Sequence, residues 1–327
     1  MRAIVITAPG GPEVLSLRDV PTPVPQRGEA RVRIRATAVN RADLLQRMGA
    51  YPAPPDAPRD IPGLELAGVV DAVGELVTAV KVGDRVLGLA GGGTYAEHVT
   101  VPERTLVRIP DGLTFNEAAA IPEAFITAYD AMVSQARLAA GETVLVHAAG
   151  SGVGTAAVQI ARAIGAFSIG TARTAAKLDR ARPMGLGEAI AVEGGKFAEK
   201  VNEISGGRGV DVVIDLVGGA YVAEDIACVA PRGRIVVVGL LAGTRADVDL
   251  GVLMRKRIEL RGTVLRSRPL EGKIEAANVL ARNLAPLFAT RVLEPVIDKV
   301  FPFARAEDAH RYVASNEGFG KVVLEID

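Results

Sequence analysis

The chain has 327 residues, nearly half of them apolar, and Lys plus Arg equal Asp plus Glu at 38 each. That length suits about two domains with sizeable cores, and a net charge of zero lacks the basic excess expected of a nucleic-acid or anionic-lipid partner. Trp is absent and aromatic residues are few, which argues against a base-stacking platform; the single cysteine, Cys228, excludes an intramolecular disulfide. The N-terminus, MRAIVITAPGGPEVL, has no apolar signal region, and no apolar run reaches the ~18 residues of a membrane span. The expectation is a soluble, cytoplasmic protein with neither a nucleic-acid nor a membrane partner.

Residues 1 to about 122 are rich in Pro and Gly, with short strand-like runs such as EARVRIRATAV and ELAGVVDAVG between turn signals. Pro21, Pro23 and Pro25 exclude regular pairing there, and Pro52, Pro54, Pro55 and Pro58 mark a loop after Tyr51. From about 123 the texture becomes alternating. Apolar, β-rich runs at 143–148, 167–172, 189–192, 210–217, 234–240 and 258–265 are separated by intervals of helical periodicity. In the first interval Val153, Ala156, Ala157, Ile160 and Ile164 fall on one helical face. Continuously apolar strands between helices require a parallel sheet covered on both faces, and six of them match a doubly wound α/β fold. Beyond 266 the pattern loosens into a helix, KIEAANVLARNLAPLF, and a last strand, GKVVLEID.

The stretch VLVHAAGSGVGTAAVQIARAIGA (144–166) places Gly150, Gly152 and Gly154 between the first of these strands and its helix. Small residues let the backbone approach a pyrophosphate, and a helix N-terminus offers free N–H groups and a positive dipole end. Thr155 stands where a third-position glycine of G-x-G-x-x-G would be, and the pattern that fits runs from Ala148 through Ser151 to Gly154. An NAD site would place an acid ~20 residues on, at the end of the second strand. That strand ends in GTARTAAK, with no acid before Asp179. Thr171, Arg173, Thr174 and Lys177 stand there instead. Arg173 and Lys177 are expected to share a helix face, where two cations beside hydroxyls suit a 2′-phosphate. NADPH is therefore favoured over NADH.

On NRADLLQRMGAYPAPP, IPGLELAGVVDAVG, VGDRVLGL, GGGTYAEHVTVP, EAAAIPEAFITAYDAM, HAAGSGVGTAAVQIA, DLVGG and LRGTVLRSR, the chain resembles the medium-chain dehydrogenases/reductases. More narrowly, it resembles their zinc-free, zeta-crystallin-like NADPH:quinone oxidoreductases, over essentially its whole length. The resemblance implies a GroES-like β-rich catalytic domain (1–122 with 266–327) and an inserted Rossmann cofactor domain (123–265). It also implies a homodimer joined through the last strand of the cofactor sheet. Zinc-dependent members of the superfamily carry a ligand His in a G-H-E segment and a ligand Cys upstream. This chain reads Gly63-Leu64-Glu65, with Asn40 upstream, while His98, His147 and His310 are scattered. Catalytic zinc needs three converging N, S or O ligands, so no metal is expected, and the histidines are read as surface or packing residues.

Without a Lewis acid, a simple ketone is hard to polarise for hydride attack, whereas a quinone or an enone is already electrophilic. The expected reaction is two-electron reduction of quinones by NADPH. The resemblance implies that Asn40 faces the nicotinamide and acceptor, although a turn-capping amide is an equal reading. It implies that Tyr51 borders the active cleft, approaches the cofactor and can donate to the oxyanion. Ser151, Gly152 and Val153 would lie along the pyrophosphate and Thr127 near the nicotinamide ribose. Gly239, Leu240, Leu241, Leu265 and Ser267 would wall the nicotinamide, and Asn316 would make a late cofactor contact. Asp43 is read as structural, Arg266 and Arg268 as exposed, and Cys228 as a small buried residue. Glu193 and Gly194 stand where the family often has a tyrosine beside the 2′-phosphate. An NADPH-dependent alkenal or enone reductase and a non-catalytic NADPH-binding protein remain open.

Overall fold

The computed structural model describes residues 1–327. The chain divides into two compact units, residues 1–126 with 265–327, and residues 127–264. The first unit is built on a seven-stranded sheet. In spatial order its main path runs Ile297–Pro302, Lys321–Glu325, Glu29–Val39, Glu65–Val73, Arg85–Leu89 and Leu106–Arg108, with His98–Pro102 also paired to Glu29–Val39. All these pairings are antiparallel except the first. Alternation over Glu29–Ala36 explains its place, with Ala30, Val32, Ile34 and Ala36 at most 1% exposed, and from Ala36 to Val39 every residue is buried. Burying Val32 and Ile34 contributes about 1.5–3 kcal/mol each before chain entropy is counted, and each alanine less. The last strand joins the same sheet, with Val322 opposite Val39. That pairing brings Lys321 beside the start of the helix Arg41–Arg47.

The second unit is a six-stranded, all-parallel sheet ordered Glu188–Ala191, Phe167–Ala172, Thr143–Val146, Val210–Asp215, Val229–Val237 and Glu259–Gly262. This is the doubly wound α/β arrangement, with strand order reversing where Thr143–Val146 meets Val210–Asp215. Several strands end earlier than their apolar runs. The runs 210–217 and 234–240 stop at Asp215 and Val237, because the chain must leave the sheet there as loop. The fifth strand begins at Val229, earlier than its run. The helix Gly152–Ile164 buries more than the single predicted face, since Thr155, Val158, Gln159 and Ala161 are also covered. It ends at Gly165, whose φ of 84° suits glycine. The helix Ala175–Ala181 stops before Pro183, as a missing N–H and a fixed φ require.

Candidate active site

In the second unit the strand Thr143–Val146 leads through His147 into Ala148, which has a φ of 48°. Ser151 caps the following helix by accepting the Gly154 N–H on its hydroxyl at 3.0 Å. The N–H groups of Gly152 and Val153 have no acceptor, as the first turn of a helix dictates. A Cβ on Gly154 would lie 2.3 Å from the Ala148 carbonyl oxygen, so only glycine permits this close turn. Free donors and the positive helix end together form a cradle for an anion. Thr127, also in this unit, has a buried hydroxyl with no hydrogen-bond partner, a polar atom that a bound ribose or amide could satisfy.

The other predicted residues of this unit divide. Thr171 is 1% exposed, and its hydroxyl lies 2.8 Å from His147 Nδ1; it faces the interior and does not offer its hydroxyl outward. Thr174 is the exposed N-cap of Ala175–Ala181, so Arg173 precedes that helix. Arg173 and Lys177 therefore bracket the helix start and do not share a helical face, because the cap sets the first helical residue after Arg173. Arg173 is exposed and Lys177 half-buried. Leu240 and Leu241 expose 55% and 57% of their surface in the loop after Val229–Val237. Gly239 backs onto the Leu216 carbonyl, which a Cβ would approach to 2.4 Å.

In the first unit Asn40 is the N-cap of Arg41–Arg47, and its backbone N–H donates to Asp43 Oδ2 at 2.8 Å. Its side-chain amide is fully engaged. Nδ2 donates to Glu65 Oε1 at 2.7 Å and to the Ala38 carbonyl at 3.2 Å, while Oδ1 accepts from Lys321 Nζ at 2.6 Å. Lys321 Nζ also donates to Glu65 Oε1 at 2.7 Å, and both residues are buried. The other Glu65 oxygen accepts the Glu123 backbone N–H at 2.8 Å. Tyr51 is half-buried in the Pro-rich loop, with the Arg266 guanidinium over its ring at 5.2 Å. Burial raises the Tyr51 pKa above its usual value, against an opposing pull from Arg266.

The sequence reading placed Arg266 at the surface, and the structure corrects this. Arg266 is 6% exposed, donating to the Gly91 carbonyl at 2.8 Å and to Gln46 Oε1 at 2.5 Å. It is the positive member of a buried polar layer; burial lowers its pKa, and Asp43, Tyr51 and Glu123 oppose that shift. Burial also pushes the Asp43 carboxyl up to about 6. Leu265 is buried and Ser267 exposed in the same segment. Asn316 caps the helix Ala306–Ser315 in a left-handed conformation, and its side-chain oxygen accepts from Arg41.

The histidines are not all bland. His147, Asp215 and Asp225 converge, with His147 Nε2 2.7 Å from Asp225 Oδ1 and all three fully buried. Asp215 Oδ1 accepts the N–H groups of Val217 and Gly218 at 2.8 Å each. His310 is buried between Tyr95 and Arg47, and burial lowers its pKa to about 3. His98 pairs with Asp71 at 3.1 Å.

Residues 26–111 match a family described as an alcohol dehydrogenase GroES-like domain, and residues 152–281 one described as a zinc-binding dehydrogenase. The quinone oxidoreductase of Pseudomonas aeruginosa is 38% identical over 328 residues, covering 99% of each chain. The chain belongs to the quinone oxidoreductase family of medium-chain dehydrogenases/reductases. Among solved structures similar to it, Escherichia coli quinone oxidoreductase complexed with NADPH has a TM-score of 0.89 at 31% identity, covering 99% of this chain and 100% of that one. A structure described as an NAD-dependent alcohol dehydrogenase also has a TM-score of 0.89, at 34% identity over the whole of both chains.

The zinc named in one family description does not fit this oxidoreductase. Leu64 and Asn40 supply neither imidazole nor thiolate, and the buried Lys321 ammonium already lies between Asn40 Oδ1 and Glu65 Oε1. At His147, both imidazole nitrogens are hydrogen-bonded. The sequence reading missed Glu65, Glu123 and Lys321 as members of the site. The available signal was a charged residue inside an otherwise apolar run, as in AIPEAF and GKVVL.

Proposed function

We propose that this chain reduces quinones by two electrons, with NADPH as hydride donor and without a metal. The observation that carries the cofactor assignment is the end of the strand Phe167–Ala172. Arg173 and Lys177 stand there at a helix start, and no acid takes the place that a ribose 2′-hydroxyl would need. The orphaned Gly152 and Val153 N–H groups and the partnerless Thr127 hydroxyl suit the same cofactor. When bound, NADPH supplies the hydride.

The chain's own residues would then do three things. Gly152, Val153 and the Ser151-capped helix start hold the pyrophosphate, while Arg173 and Lys177 neutralise the 2′-phosphate. Gly239, Leu240 and Leu241 give the nicotinamide an apolar wall that excludes water. The Tyr51 hydroxyl, kept protonated by burial, donates a hydrogen bond to the acceptor oxygen as negative charge builds there. Asn40 acts as a fixed wall, because its amide is already committed to Lys321, Glu65 and Ala38. With no Lewis acid, the acceptor must be electrophilic in itself, which a quinone is. The exposed outer strand Glu259–Gly262 suits a homodimer that continues the sheet; its mass in solution tests that.

Steady-state NADPH oxidation with an ortho-quinone, a para-quinone and a 2-alkenal tests the acceptor assignment. Faster turnover of the quinones supports it. Faster turnover of the alkenal makes the protein a double-bond reductase, and tight NADPH binding with no turnover makes it a non-catalytic binder.

A further inference from the structure

Parallel pairing of Val210–Asp215 with Thr143–Val146 carries two polar residues to one edge of the sheet. His147 follows one strand and Asp215 ends the other, and the His147 N–H donates to the Ile214 carbonyl at 3.2 Å. Asp225 reaches them from the helix Tyr221–Cys228. All three are fully buried in the second unit, and one polar side-chain atom of each lies within 4.8 Å of those of the other two. Asp215 Oδ1 accepts two N–H groups and Asp225 Oδ1 meets His147 Nε2, yet Asp215 Oδ2 and Asp225 Oδ2 have no hydrogen-bond partner. Two orphaned carboxylate oxygens in one buried cluster are costly, because each forfeits its hydration. The geometry points to one proton shared by Asp215 and Asp225, a pH-sensitive latch between two loops that hold the dinucleotide. The latch, though not the shared proton, rests on the cofactor reading above.

The Val217 and Gly218 N–H groups favour a carboxylate at Asp215, so the proton sits on Asp225 Oδ2 and is donated to Asp215 Oδ2. Asp225 Oδ1 then accepts from His147 Nε2–H, and His147 Nδ1 accepts from the Thr171 hydroxyl. The same proton placed on the imidazole would leave both Oδ2 atoms orphaned. The other charged and titratable groups facing the pair are Glu224 and Cys228 on the helix of Asp225, and the half-buried Tyr221, on which Arg173 bears. Glu224 is held by Lys196 Nζ at 2.8 Å, and Lys256 bears on Cys228. The Phe197 and Tyr221 rings pack against the imidazole at 4.6 and 4.9 Å. Burial raises the Asp225 carboxyl to about 6, with His147 opposing and Asp215 and Glu224 adding to the rise.

The loops tied together by this proton carry predicted cofactor residues. His147 leads into the glycine turn, and the Asp215 carbonyl accepts the Val238 and Gly239 N–H groups at 2.8 and 3.2 Å. As pH rises, the proton leaves to solvent and two carboxylates face each other in a dry interior. Their repulsion loosens the Val217–Gly218 turn and the His147 anchor together, and dinucleotide affinity falls. The folded state binds the proton more tightly than the unfolded chain. Its contribution to stability is therefore complete below the ordinary 3.8 and lost as pH rises through about 6.

Replacing either carboxyl by its amide closes the latch permanently. In Asp225→Asn the new Nδ2 donates to Asp215, and in Asp215→Asn it donates to Asp225, with the Oδ1 bonds kept in both. Wild type and the two variants are compared at pH 5 and pH 8 by the infrared C=O bands of protonated carboxyls, by thermal midpoint, and by NADP⁺ affinity in calorimetry. The expected result is a C=O band in wild type at pH 5 that both variants lack. From pH 5 to pH 8, wild type should lose NADP⁺ affinity by ~5-fold or more relative to Asp225→Asn, and its midpoint should fall relative to both variants. Identical C=O bands in the three proteins would overturn the inference, since a buried water or an imidazolium between two ionised carboxylates produces no such difference. Parallel affinity profiles in wild type and Asp225→Asn would overturn the latch. A wild-type protein that binds no dinucleotide at either pH overturns the cofactor reading and the latch with it, while the infrared and thermal comparison still decides the shared proton.

Discussion

Lys321 Nζ lies 2.7 Å from Glu65 Oε1 in the interior of the first unit, joining the first residue of the last strand to the first residue of the strand Glu65–Val73. Removing one member of a buried pair leaves an uncompensated charge and costs about 3–5 kcal/mol. Lys321→Met should therefore lower the thermal midpoint by many degrees. Adding Glu65→Gln should restore most of that loss, because no isolated charge remains. Equal midpoints for wild type and the single variant would show that the pair carries no such energy.

The cations at the 2′-phosphate position make a separable prediction. Arg173→Ala and Lys177→Ala should each raise KM for NADPH by ~10-fold or more, the equivalent of one charge-assisted hydrogen bond, with kcat and KM for NADH little changed. A parallel rise for both cofactors would place the two side chains elsewhere.

His147 and Asp225 anchor the residue just before the glycine turn, 78 positions apart in sequence. Asp225→Ala strands the buried imidazole and should destabilise the second unit by about 3 kcal/mol. Asp225→Asn keeps a hydrogen-bond acceptor and should cost less. Chemical denaturation of the two variants decides between a paired and a merely packed histidine.

Glu123 also links stability to pH. Its carboxyl is raised from an ordinary 4.5 to about 8, so the folded state binds the proton more tightly than the unfolded chain does. That contribution is complete below pH ~4.5 and is lost as pH rises toward 8. Glu123→Gln removes the dependence. Relative to wild type, the variant should gain thermal stability between pH 5 and pH 8, as melting curves across that range would show.

Periodicity made much of this protein readable. Continuous apolar runs give the parallel sheet, and the strand-like run EARVRIRATAV gives Glu29–Val39 with its boundaries. The glycine turn was equally legible, because only glycine fits against the Ala148 carbonyl. What was hidden are relationships that periodicity does not carry. Lys321 and Glu65 are 256 residues apart and meet only through sheet pairing. Thr171 reads as a hydroxyl beside the 2′-phosphate, yet it lies in a strand buried from Ser168 on and meets His147. Arg173 falls outside its helix because Thr174 takes the cap, and Arg266 is drawn inward by Gln46 and the Gly91 carbonyl.

We propose a metal-independent reductase that prefers NADPH. The most direct measurement is kcat/KM for NADPH and for NADH with a para-quinone, on protein dialysed exhaustively against chelator. Unimpaired turnover after chelation is expected, with a preference for NADPH of ~10-fold or more, the worth of about one charge-assisted contact. Loss of activity restored by zinc, or equal use of the two cofactors, would contradict it.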